Sequence, residues 1–177
     1  MEITIHGRDD QGTTLAGQIL ATAFRRSGGS VRLFVASDDD RDAPMAAFVG
    51  VDTLPIVRRD TIEPTSFVLV LDPSLLDQVD RRALADGAII VVNSPADPCS
   101  RMPLASHIVT IDASSIATGS GLGRFVATAG LGAFARATGI LTLDELLPAV
   151  ALWRPLKRGD HLRACATAYG EMEVPAR

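Results

Sequence analysis

The sequence predicts a single α/β domain built on an open, mostly parallel, doubly wound sheet with a helical C-terminal segment. Three observations predict it: two continuous aliphatic runs, Phe67–Leu71 and Ala88–Val92; strand-like and helix-like segments that alternate along most of the chain; and a C-terminal third whose apolar residues recur at helical spacing. Continuous β-branched and aliphatic runs are the pattern of strands covered on both faces. Strands alternating with helices imply crossovers and parallel pairing. At 177 residues and 47% hydrophobic, the chain can bury one good core and is short for two. Residues 1–177 are therefore read as one domain, with a core over about 3–150 and a helical tail over about 151–177.

Glu2–His6 alternates around Ile3 and Ile5 and runs into a Gly-bearing turn, the usual end of a first parallel strand. From Thr13, the positions Leu15, Ile19, Leu20, Ala23 and Phe24 share one side of a helix that Gly28-Gly29 stops. Val31–Ala36 reads as the second strand. It is followed by an acidic loop over residues 37–44 and a third apolar run from Met45 to Val51. The two aliphatic runs each end in a turn signal, Asp72-Pro73 or Asn93-Ser94-Pro95, and a crossover helix is expected between them over Leu75–Asp86. His107–Ile111 supplies a further short strand. Phe125–Ala137 is an Ala/Gly-rich helix ending at Gly139, Thr142 and Glu145 stand at capping-box spacing, and a last helix starts near Asp160.

Composition excludes several classes. A net charge of −4 gives no basic footprint for nucleic acid, and 5% aromatics leave little to stack on bases. No run approaches the roughly 18 to 20 apolar residues of a spanning helix, and Met-Glu-Ile-Thr-Ile is unlike a leader, so a soluble, cytoplasmic protein without a membrane partner is expected. The two cysteines, Cys99 and Cys165, are far apart, so a zinc site or cluster built by this chain alone is not expected. His6, His107 and His161 lack metal-ligand spacing; for the first two, at strand ends, a hydrogen-bonded structural role is expected. Ser94, Ser106 and Ser114 lack a nucleophile elbow.

The sharpest local signal is His6-Gly7-Arg8-Asp9-Asp10-Gln11-Gly12-Thr13-Thr14, placed between strand and helix where nucleotide phosphates are commonly held. Gly7 and Gly12 match the outer glycines of a dinucleotide fingerprint, but Asp9 stands at the middle one; against the P-loop, Thr13 replaces the lysine. Two readings stay open: an anion-binding loop, or a tight turn whose Asp residues cap the helix. The second candidate is the acidic loop with Asp38, Asp39, Asp40 and Asp42, expected at the same strand-end edge as Asp9 and Asp10. It could face a basic partner or magnesium, or be a solvated loop in which Arg8 and Arg41 neutralise their neighbours. Gly119-Ser120-Gly121-Leu122-Gly123 reads as a helix entry that presents backbone donors or permits close packing.

Taken in order, Ile3-Thr4-Ile5-His6-Gly7-Arg8, Gln11-Gly12, Arg41 with Ala43-Pro44, Ile62-Glu63-Pro64, Leu71-Asp72-Pro73, Ile89–Asn93 and Leu131–Gly139 resemble the gamma subunit of pyruvate or 2-oxoacid:ferredoxin oxidoreductases. The resemblance implies a non-catalytic subunit with a Rossmann-like sheet, working beside alpha, beta and delta-type subunits. Those would carry thiamine diphosphate, Mg2+ and [4Fe-4S] clusters, decarboxylate a 2-oxoacid and pass electrons to ferredoxin. It also implies that the loops holding Gly7, Arg8, Gln11, Gly12, Thr13 and Arg41 face the acyl acceptor, usually coenzyme A, or the neighbouring active site.

The departures bear on that acceptor. The family's first loop typically reads Gly-Arg-Gly-Gly-Gln-Gly, whereas Asp9-Asp10 stand in its centre here; the second reads Glu-Arg-Arg-Gly-Ala-Pro, against Asp39-Asp40-Arg41-Asp42-Ala43-Pro44. Both changes add negative charge where a polyanion would approach, so use of coenzyme A is left open. The alternatives are a beta-type subunit of an indolepyruvate oxidoreductase and a stand-alone Rossmann-like nucleotide-binding module.

Overall fold

The computed structural model describes residues 1–37, 43–53, 63–95, 107–154 and 156–173. Six strands, β1 (Glu2–Gly7), β2 (Ser30–Ser37), β3 (Met45–Asp52), β4 (Thr65–Val70), β5 (Leu84–Asn93) and β6 (His107–Ile111), form one sheet in the order β2-β3-β1-β4-β5-β6. β1, β4, β5 and β6 run parallel, while β3 runs antiparallel to both β2 and β1. The expected single α/β domain on a mostly parallel sheet is what forms. The third apolar run is its one reversed strand, because the chain returns from β2 directly beside it, with Ser37 opposite Met45.

Five helices, α1 (Thr13–Arg26), α2 (Ala113–Gly119), α3 (Ala127–Thr138), α4 (Leu143–Trp153) and α5 (Arg158–Glu171), belong to one hydrophobic cluster with Ile3, Ile5, Ala47, Val49, Leu69 and Val91. Alternation along the strands turns Val68, Val70, Ile90 and Val92 to the opposite face, where Leu76 and Val79 cover them. Phe34 and Phe48 lie further along that opposite face, their ring centroids 6.1 Å apart, and Phe34 is 65% exposed.

The crossover helix expected over Leu75–Asp86 is absent. Two 3-10 turns, Pro73–Gln78 and Arg81–Ala83, stand there, and β5 begins at Leu84. Asp72 and Asp80 each accept a hydrogen bond from the backbone N–H two residues on, and such local turns compete with a helix. The sequence reading also missed α2, whose signal is Asp112: its carboxylate accepts from the Ser115 N–H at 2.9 Å and caps the helix. The other helices form where expected, with Gly139 closing α3 at φ 68° and Thr142 and Glu145 making the reciprocal cap of α4.

Between α2 and α3, Gly121 and Gly123 take φ of 79° and 59°, and a Cβ at either would meet nothing within 4 Å. Those glycines supply left-handed turns; close packing is not their reason. Close packing falls instead on Gly132, where a Cβ would run into the Cys165 carbonyl of α5. No helix among the described residues is long and apolar enough to cross a membrane.

Candidate site at the strand ends

The register brings Gly7, Ser37, Val70, Asn93 and Ile111 to one edge of the sheet, together with Met45 at the start of β3. The chain leaves β1 through α1 toward β2 and β3 on one side, while β4, β5 and β6 follow on the other. The β1/β4 boundary is therefore the point where strand order reverses, where open α/β sheets hold ligands. Both candidate loops leave the sheet at this edge. Arg41 and residues 38–42 lie outside the described residues, as does Cys99.

After β1, the chain makes a 3-10 turn over Asp9–Gln11 before α1. Gln11 holds the turn: its Oε1 accepts from the Arg8 N–H at 3.0 Å and its Nε2 donates to the Leu71 carbonyl at 3.4 Å. Thr13 donates its hydroxyl to the Arg8 carbonyl at 2.9 Å. Arg8 reaches across the switch point, its Nε donating to Asp72 Oδ2 at 2.8 Å. Burial works to raise the Asp72 pKa, but hydrogen bonds from Arg8 and Ser74 together with the guanidinium charge outweigh it and hold the carboxyl below its ordinary value. Asn93 continues the stitch, donating to the Leu71 carbonyl at 2.8 Å and accepting from the Ser114 N–H at 3.1 Å.

The glycines have internal reasons. A Cβ on Gly7 would overlap the Thr13 hydroxyl, and Gly12, at φ 85°, lies under the Phe125 ring. Phe125 is held from beyond by Arg154, whose guanidinium carbon is 4.0 Å from the ring centroid, and by the edge of His161 at 5.3 Å. His161 is buried and within 3.2 Å of the Thr128 hydroxyl through Nδ1. Burial, then the nearby Arg154 charge, lowers its pKa to about 4.

The Asp residues do not cap α1. Gly12 is its N-cap and brings no side chain; Asp10 instead forms an ion pair with Arg124, Oδ2 to Nε at 2.6 Å. Arg8 pairs with Asp72 across the switch point.

His6 lines two connected grooves on the face opposite the helices, of about 280 and 150 Å3, with Gln78 common to both. Burial lowers its pKa, so it is neutral at pH 7. Cys165 is a buried thiol pushed up to about 12 by desolvation, which suits packing and not ligation. Among the described residues no three His, Cys, Asp or Glu side chains converge into a metal site.

The sequence profile of the family "Pyruvate ferredoxin/flavodoxin oxidoreductase" matches residues 2–160. The chain belongs to that family, as a gamma-type subunit. It is 37% identical to the pyruvate synthase subunit PorC of Methanothermobacter thermautotrophicus, with 98% of this chain and 96% of that one covered. It is 38% identical to the pyruvate/ketoisovalerate oxidoreductases common subunit gamma of Thermococcus kodakarensis, over 85% of this chain and 84% of that one. The crystal structure of pyruvate oxidoreductase subunit PORC from Thermotoga maritima superposes with a TM-score of 0.82 at 28% identity, covering 97% and 96% of the two chains. The fold also recurs in 2-oxoglutarate:ferredoxin oxidoreductase from Magnetococcus marinus, at a TM-score of 0.80 and 16% identity; it covers 99% of this chain and 33% of that longer one. This gamma-type chain thus shares its architecture with the Thermotoga maritima subunit over nearly the whole aligned length.

Proposed function

We propose that this chain is the non-catalytic gamma-type subunit of a cytoplasmic, thiamine-diphosphate-dependent 2-oxoacid:ferredoxin oxidoreductase, and that its strand-end edge faces the active site of a neighbouring chain. The observation that carries the reading is the edge itself. The β1/β4 switch point is stitched by Arg8, Gln11, Asp72, Asn93 and Ser114, groups that hydrogen-bond and carry charge. Such groups bind and orient. The relatives named gamma or PorC favour this reading over a beta-type indolepyruvate subunit.

Alpha, beta and delta-type chains would hold the thiamine diphosphate, Mg2+ and [4Fe-4S] clusters, which supply decarboxylation and electron transfer to ferredoxin. This chain's part is a rigid wall beside them, with Arg8, Gln11, Gly12 and Thr13 fixing its first loop. Asp9 and Asp10 place negative charge at that wall, which favours an acyl acceptor less anionic than coenzyme A.

Tagged pull-down of the chain from its own cells is the test. Co-purification with larger chains, brown absorbance and stoichiometric thiamine diphosphate is the expected result; a monomer carrying a nucleotide would overturn it. Titrating the purified complex with coenzyme A then reads the acceptor, and tight, productive dependence on it would refute the less anionic choice.

A further inference from the structure

Beside the Arg8–Asp72 pair lies a crevice of about 370 Å3 lined by Gln11, Ser114, Thr118, Gly123, Arg124 and Val126. Among the described residues its lining carries one formal charge, the Arg124 guanidinium, with a carboxamide and two hydroxyls as the other polar side chains. Such a lining suits an oxyanion. Arg124 is bound to Asp10 at 2.6 Å, and both are well exposed, at 79% and 48%. The pair therefore stands in water at the mouth of the crevice, where ion pairs are weak and exchangeable. Arg124 also sits beside left-handed Gly123 on a turn with open space around its glycines. Arg8, by contrast, is partly buried against Asp72.

We propose that Arg124 is the anion-recognising residue of this crevice and that Asp10 is its built-in competitor, so that a phosphate-bearing ligand binds by displacing the Asp10 carboxylate. The inference rests on the strand-end edge being the ligand-facing one, and it assigns a specificity role to a residue pair there. Asp10 lowers affinity twice over, by occupying Arg124 and by repelling the incoming anion. A monoanionic or neutral ligand loses little by this arrangement; a polyphosphate loses most.

The test is calorimetric titration of the full chain with inorganic pyrophosphate at low ionic strength, for wild type, D10N, R124Q and the double variant. All are exposed positions, and thermal melts check folding. D10N is expected to bind roughly three- to tenfold more tightly than wild type, R124Q to lose most binding, and the D10N gain to shrink in the R124Q background. A D10N gain that is absent, or equally large without Arg124, overturns the proposal. So does a failure of every form to bind pyrophosphate. The pull-down keeps the two ideas apart: partners recovered with a flat cycle would remove only the Asp10–Arg124 competition, and a clear cycle without partners would remove only the subunit reading.

Discussion

Gly12 illustrates how one missing methyl group holds the candidate loop in place. Its φ of 85° is open to glycine, and a Cβ there would enter the Phe125 ring, itself pinned by Arg154 and His161. Strain at positive φ and overpacking add, so Gly12→Ala is expected to lose about 2–4 kcal/mol in urea unfolding. His161 makes the same cluster sensitive to acid. Its folded pKa of about 4 lies below the unfolded value near 6.5, so the unfolded chain binds the extra proton first. Its contribution is complete above about pH 6.5 and is lost as pH falls toward 4. Melting curves of H161Q should show a shallower decline across that window than wild type. Asp72 acts lower: with its folded pKa depressed by Arg8 and Ser74, its contribution is present above the ordinary carboxylate range near 3.9 and is lost below it. D72N should abolish that acid component of the pH dependence, lowering stability above pH 5 while leaving the slope of the melting curves there unchanged.

Helices α1, α3, α4 and α5 were legible because their signals are local. Thr142 and Glu145 cap α4 as their spacing predicts, the Thr142 hydroxyl accepting from the Glu145 N–H and Glu145 Oε2 accepting from the Thr142 N–H at 2.8 Å. Thr142→Ala should cost about 1 kcal/mol by chemical denaturation. Where the reading failed, a local competitor won. Leu75–Asp86 has helical composition, but the side chains of Asp72 and Asp80 turn the chain twice and leave no room for a helix before β5. The reversal of β3 is a pairing decision that no periodicity records, since parallel and antiparallel strands share the same alternation.

Across the molecule, burial is divided unequally between the two faces of the sheet, and substitutions should follow that division. Phe134 is fully buried and meets Phe67 edge-on with ring centroids 6.3 Å apart; Phe134→Ala should lose about 3–5 kcal/mol. Phe34 is mostly exposed on the opposite face, and Phe34→Ser should change the stability of the isolated chain by no more than about 0.5 kcal/mol. Equilibrium unfolding of the two variants checks both figures, and similar losses would mean that the second face is as well covered as the first.

The sequence alone determined the fold class, the five strand segments at Ile3, Val31, Phe67, Ala88 and His107, the α4 cap and the position of the first loop between strand and helix. These depend on periodicity and on neighbours within a few residues, and the chain carries both in its order. Only the tertiary structure decided that Asp10 meets Arg124, that Arg8 meets Asp72 across the switch point, and that Gly12 is packed under Phe125. Those partners are separated by long stretches of chain. Which of several carboxylates a guanidinium meets is set by strand order and helix packing, and residue type is silent on it.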